Sequence, residues 1–194
     1  MLKPQDILVT LKLLVVNDVL AEHSFASIAE AVAMSVSETH ASVKRATQCH
    51  LLSHLSRPES RRGGLPQVAT SHLLRFVENG LPYVFPAKRG PVVRGVPTGI
   101  GMEPLRDELV VGVEELIPVW PIDRGPNLVL GIALAPIYRS CPQAAANDKQ
   151  LYRLLSLVDA IRDTGIRQQQ VAFSLFEREV REAARNPHRL TMIR

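Results

Sequence analysis

An α+β fold in two parts is predicted for this chain: a helix-rich first part, residues 1–80, with one small basic hairpin, then a mixed second part, residues 81–194, of short strands followed by two helices. Three observations predict it. Between Ser24 and Val68 the pattern runs helix, tight turn, helix, strand, basic hairpin, strand. From Pro82 to Pro142 the chain holds 10 of its 14 prolines and 7 of its 11 glycines, which excludes long helices there and forces short strands and turns. After Pro142 the apolar residues return to helical spacing.

Taken in order, the first element is a long helix from Gln5 to Glu22. Pro4 suits a first helical turn, and Leu8, Leu11, Leu14, Val15 and Val19 recur at helical spacing, giving one broad apolar face. Such a helix supports the rest of the first part or serves a dimer interface, and the pattern fits both. Ser24 can cap the next helix, which runs to about Val32 with Phe25, Ile28, Ala29 and Val32 inward. Ala33 and Met34 make the turn. Glycine is usual at this corner because a left-handed backbone angle is cheap without a Cβ, so Ala33 is a departure.

A third helix opens at Ser35, three residues before Glu38, so that each side chain can satisfy the other residue's free backbone N–H. Thr39, Val43 and Ala46 form its inner stripe, which leaves Ser37, Glu38, His40, Ala41, Lys44 and Arg45 on the outer face. Leu51, Leu52 and Leu55 continue as a short strand. Arg57 to Gly64 forms a basic tip, and Leu65 to Ala69 returns. Helix, turn, helix and basic hairpin in this order spell a winged helix-turn-helix.

In the major groove of DNA the short polar residues Ser35 and Ser37 would approach base edges. Glu38 would accept from a cytosine amino group, with His40 and Ala41 beside the bases, and Lys44 and Arg45 would reach guanines or phosphates. Arg57, Arg61 and Arg62 at the hairpin tip suit phosphate contact. An ordinary solvated helix face and a charged loop without a ligand are the plain alternatives.

The distribution of charge agrees with a polyanionic partner. The net charge is +4; residues 1–95 carry 11 Lys and Arg against 7 Asp and Glu, and residues 96–194 carry 12 against 12. Within His40 to Arg62 the five cations Lys44, Arg45, Arg57, Arg61 and Arg62 face only Glu59.

The stretch from Gln5 to about Ala69 resembles the winged-helix domain of MarR-like bacterial transcriptional regulators. IAEAVAMSVSETHASVKRATQCHLL carries the resemblance, with Ser35-Val36-Ser37-Glu38 opening the recognition helix and Cys49-His50-Leu51-Leu52 leading into the wing. Where such regulators often have Gly before the first wing strand, this chain has His50. The resemblance implies double-stranded DNA as the partner and a homodimer on a palindromic operator.

Thr70 or Ser71 can cap a short helix from His72 to Asn79, which Gly80 ends. Beyond this boundary the candidate strands are Tyr83 to Phe85, Val92 to Val96, Leu109 to Val113, Leu116 to Trp120 and Leu128 to Leu134, the last apolar throughout and expected to be buried. Lys88-Arg89-Gly90 and Arg94-Gly95 place cations beside glycines, as exposed turn punctuation or an anion site. Pro142 opens a helix to about Arg162 with Leu151, Leu154, Leu155 and Val158 inward. Gly165 breaks it, and a last helix runs from Ile166 to about Arg185. By default this pair packs on the second part's own strands; it is also suited to dimerise or dock a partner.

Catalytic chemistry is not legible, and no enzyme activity or cofactor is expected. Cys49, His50 and His54 suggest a metal, but on a strand His50 and His54 would stand ~13 Å apart, too far for one ion. Gly99-Ile100-Gly101 lacks the third glycine of a dinucleotide fingerprint. Glu103, Asp107, Glu108, Glu114 and Glu115 have no metal or nuclease spacing and read as a solvated acidic face. Hydrophobic residues at 46% and charged residues at 22% exclude a disordered chain. No apolar run approaches the ~20 residues of a membrane span. Lys12 and Asp18 interrupt the apolar N-terminal run, as a secretory signal would not allow, and two cysteines, Cys49 and Cys141, are too few for a disulfide framework. A cytoplasmic protein is expected.

The sequence therefore predicts a sequence-specific DNA-binding transcriptional regulator. The alternative is the antitoxin or regulatory subunit of a toxin-antitoxin or defence operon, working mainly by gripping a partner protein through residues 81–194.

Overall fold

The computed structural model of the chain describes residues 1–17, 23–53, 64–109, 116–125 and 127–185. It is α+β, and its first helix, α1 (Pro4–Val15), is its central strut. Pro4 takes the first turn, where a missing N–H costs no hydrogen bond, and Asp6 Oδ2 accepts from Lys3 N at 2.8 Å. Nine of its twelve residues are buried. The helix is shorter than its periodicity predicts, closing at Val16; Val19 to Glu22 lie outside the described residues.

Next come α2 (Phe25–Ala31) and α3 (Val36–Gln48), each with a serine cap. Ser24 Oγ accepts from Ser27 N at 3.1 Å and Ser27 Oγ from Ser24 N at 2.9 Å, so the cap is reciprocal. Strands β1 (Leu52–Ser53) and β2 (Gln67–Val68) pair antiparallel, with Leu52 opposite Val68. Ala69 N then donates to Leu51 O, and α4 (Thr70–Asn79) starts from that anchor. This is why the helix begins two residues before His72 with Ala69, and neither Thr70 nor Ser71, at its cap.

The second part opens with a correction. Tyr83 lies in the one-turn helix α5 (Leu81–Val84), not in a strand, because Pro82 sits in a first turn where its fixed φ favours helix. Strands β3 (Arg89–Pro97), β4 (Pro118–Pro121) and β5 (Val129–Leu134) close on one another as a small barrel, β3 antiparallel to both others and β4 parallel to β5. The closure depends on two glycines. A Cβ on Gly95 would lie 2.1 Å from Trp120 O, and one on Gly131 would lie 2.3 Å from Ile117 O.

β5 is not buried throughout. β4 pairs with it only at Ile132 and Ala133, so Val129 and Leu130 run on past that cover and stay exposed. Leu109 is likewise not in a strand but ends a short helix, α6 (Leu105–Leu109), after the 3-10 turn Gly99–Gly101; residues 110–115 lie outside the described residues.

Two helices, not one, follow Pro142: α7 (Cys141–Ala145) and α8 (Lys149–Asp163). Asp148 between them takes an extended backbone, and its carboxylate accepts from Leu151 N at 2.9 Å, starting a new helix where the first would have continued. The last helix, α9 (Ile166–Arg185), spans the residues its periodicity predicts.

α8 and α9 pack on α1, and α9 also packs on α4, so one apolar core runs continuously past residue 80. Lys12 of α1 adds an ion pair to Asp148 at 2.8 Å. With α3 on α1 as well, the apolar circumference of α1 is covered by its own chain. The helix is therefore a core element and offers no dimer face.

A polar knot joins the barrel to α8. Asp159, wholly buried, accepts from Thr98 Oγ1 at 3.0 Å and Trp120 Nε1 at 2.6 Å through one oxygen, and from Arg162 Nη1 at 2.6 Å through the other. Arg162 continues to Phe85 O at 2.7 Å. Burial pushes the Asp159 carboxyl up to about 6, against the pull of Arg162, Trp120 and Thr98. Among the described residues no helix is long and apolar enough to cross a membrane.

Candidate nucleic-acid interface

The surface with most of the predicted site residues is α3 and what flanks it. α2 and α3 end identically. Met34 N donates to Ala29 O and Ala33 N to Glu30 O, with Ala33 at φ 51°. Leu51 N donates to Ala46 O and His50 N to Thr47 O, with His50 at φ 59°. Both are the crossed pair of bonds of a helix end closed by a left-handed residue, here made without glycine. The two positions where glycine is usual in such units thus keep the backbone that glycine would give, at the cost of placing a Cβ in a strained region. His50 O also accepts from His72 Nδ1–H at 2.9 Å, tying the start of β1 to α4.

Ser35 caps α3 by accepting from Glu38 N at 3.2 Å. The reciprocal half of the predicted box is not made. The Glu38 carboxylate instead accepts from Ser35 Oγ at 3.5 Å and Tyr138 Oη at 3.4 Å, both long contacts, so it faces the second part of the chain. Thr39, Val43 and Ala46 are buried as the stripe predicts, and Ser42 joins them.

Opposite that stripe Ser35, Ser37, His40, Ala41 and Lys44 are exposed, and Glu38 is half-buried. His40 lies stacked on Phe25 from the first turn of α2, ring centroids 3.7 Å apart at 17°. A shallow depression of about 350 Å³ opens beside this pair, floored by Phe25 and Val43 and rimmed by Lys44, Gln48 and Gly64.

Arg45 departs from its predicted place. Its guanidinium turns away from the outer face and grips Asp6 of α1, with Nη2 to Oδ1 at 2.6 Å and Nε to Oδ2 at 2.9 Å, and it donates to Ser42 Oγ at 3.1 Å. Asp6 is wholly buried. The bond to Asp6 raises the Arg45 pKa above its ordinary value. Position 45 sits on the helical wheel between the inner stripe and the outer face, and a carboxylate 39 residues away decides which side it joins. The local signal was Asp6, a lone acid amid the buried positions of α1.

Arg57, Arg61 and Arg62 lie outside the described residues, as does His54. The strands on either side pair through Leu52–Val68 and Ser53–Gln67, and β1 packs on α3, so the ends of the segment that contains these arginines meet beside α3. The other candidate cations divide. Arg89 is engaged with Asp163 through two bonds of 2.8 Å, whereas Lys88 and Arg94 are exposed. Glu103, Asp107 and Glu108 are exposed. Among the described residues no group of three His, Cys, Asp or Glu is placed to hold a metal ion.

Two residues that the sequence does not single out lie on the segment from β5 to α7: Tyr138 reaches Glu38 of α3, and Arg139 Cζ stands 5.9 Å from the Tyr138 ring centroid. Ser140 Oγ donates to Val32 O at 2.7 Å in a buried bond. Their sequence gives no sign of this, because the contact spans 100 residues.

Comparison of the chain with known protein families, with curated proteins and with solved structures finds no match.

Proposed function

We propose that the chain is a sequence-specific DNA-binding transcriptional regulator, with residues 25–68 as a winged helix-turn-helix and α3 as its recognition helix. The observation that carries this reading is the composition of the outer face of α3. Ser37, His40, Ala41 and Lys44 are exposed together on a helix whose opposite face is packed on α1. A polar face bearing Lys44 on a helix seated against α1 is what the major groove accepts. Both ends of a segment bearing Arg57, Arg61 and Arg62 sit beside it. In this reading Lys44 and the hairpin arginines supply affinity through phosphates, while Ser35, Ser37, His40 and Ala41 approach base edges. Glu38 has a smaller part, its carboxylate being turned toward Tyr138, and Arg45 holds the helix to α1 without touching DNA. The regulator acts as a homodimer on a palindromic operator, through a surface other than α1. No enzyme activity or cofactor enters this reading.

The test is a gel shift with DNA from immediately upstream of the protein's own coding sequence, with unrelated duplex as competitor. A shift that survives competitor and weakens in Lys44→Ala supports the proposal. No shift, or equal competition by any duplex, removes sequence-specific regulation.

The second reading, an antitoxin or regulatory subunit acting by partner binding, is favoured by one observation. Val92, Val129 and Leu130 are exposed apolar residues on neighbouring strands β3 and β5. Co-purification with the product of the adjacent gene, abolished by Leu130→Asp, would support it.

A further inference from the structure

We propose that the strap between β5 and α7, residues 135–140, adds Arg139 to the DNA-contacting surface, as a phosphate contact supplied from the second part of the chain at the first turn of α3. This rests on α3 as the recognition helix. One buried hydrogen bond and one long contact place the strap there. Ser140 Oγ holds Val32 O at 2.7 Å, on the carbonyl just before the left-handed corner at Ala33. Tyr138 Oη reaches the Glu38 carboxylate at 3.4 Å. Arg139, between them in sequence, is exposed, and its guanidinium stands 5.9 Å from the Tyr138 ring centroid.

That partner sets Arg139 apart. Among the described residues Arg139 makes no ion pair, as Arg94 and Arg124 also make none, but its guanidinium is the one that lies over an aromatic ring. An aromatic face orients a guanidinium without using its N–H donors, so the planar fork is positioned and left open for two oxygens of a phosphate. A recognition helix presents its N-terminal residues to the bases, and the backbone that borders those bases passes its first turn. With Tyr138 and Ser140 tied to Glu38 and Val32 on either side of it, Arg139 would meet that backbone.

The test is fluorescence anisotropy of a labelled duplex carrying the DNA upstream of the coding sequence, titrated with the full chain at a series of salt concentrations. Wild type is compared with Arg139→Ala, Arg139→Lys and Lys44→Ala. Arg139→Ala is expected to reduce the salt slope of log K by ~0.9, the share of one phosphate contact, and to weaken binding several-fold near physiological salt. Arg139→Lys should restore most of the slope, and the thermal midpoint should not move in either variant. A wild-type slope in Arg139→Ala, alongside a reduced slope in Lys44→Ala, would overturn the inference and spare the recognition helix. If the wild type does not bind, or Lys44→Ala is silent too, the reading of α3 fails and takes this inference with it.

Discussion

Arg45→Ala separates a structural arginine from a DNA-contacting one. In the wild type the buried Asp6 carboxylate accepts three bonds from Arg45, at 2.6, 2.9 and 3.2 Å, and one from Lys3 N at 2.8 Å. Truncating Arg45 removes three of these four and leaves a wholly buried carboxylate with one backbone donor. Breaking a buried pair from one side costs roughly 3–5 kcal/mol, and the retained Lys3 bond places this case near 3. At roughly 2–4 °C per kcal/mol for a chain of this size, the thermal midpoint should fall by about 10 °C. The assay is circular dichroism melting at neutral pH, with Asp6→Asn combined with Arg45→Met as the partner experiment. Removing both charges should recover much of the loss, because the penalty comes from the orphaned charge rather than from a strong pair. Affinity for DNA, measured well below the midpoint, should change little. An Arg45→Ala protein that melts within about 2 °C of wild type but binds DNA tenfold more weakly would show that Arg45 contacts DNA and does not hold α3 to α1, since a fall of about 10 °C is expected from the lost pair.

Asp159 makes a pH prediction. A carboxyl raised from 3.8 to about 6 stays protonated in the folded state over a range where the unfolded chain has lost its proton, so stability falls as pH rises across that range and is level above it. Urea unfolding of wild type and Asp159→Asn should therefore show their stability difference shifting by about 2 kcal/mol against wild type between pH 4 and 6; parallel profiles would contradict the assignment. Ala33→Gly relieves the left-handed corner and should raise stability by roughly 0.5 kcal/mol or more in the same urea assay, the reverse of the usual effect of glycine. Gly131→Ala would drive a Cβ against Ile117 O and should cost about 3 kcal/mol, visible as a lower urea midpoint.

What was legible in the sequence was whatever local chemistry decides. The caps at Ser24 and Ser35, the helix Ile166–Arg185 and the inner stripe of α3 follow from side chains within a turn or two of one another. The unusual corners were legible as well, since Ala33 and His50 stand where glycine is usual, and both take the left-handed angle. Distance in sequence hid the rest. Arg45 belongs to α1 because of Asp6, and Glu38 turns toward Tyr138. Apolar runs misled where closure geometry decides, as at Val129 and Leu130, which are apolar yet uncovered because β4 stops short of them. Single residues redirected whole elements: Pro82 made a helical turn of an expected strand, and Asp148 divided one expected helix into two.

Hydroxyl-radical footprinting on the DNA upstream of the coding sequence, run with wild type and with Lys44→Ala, tests the proposal that the exposed face of α3 reads a palindromic site. Two protected patches are expected about one helical turn apart, ~34 Å, both lost or weakened in the variant. No protection, a single unpaired patch, or a double footprint indifferent to Lys44→Ala would contradict it.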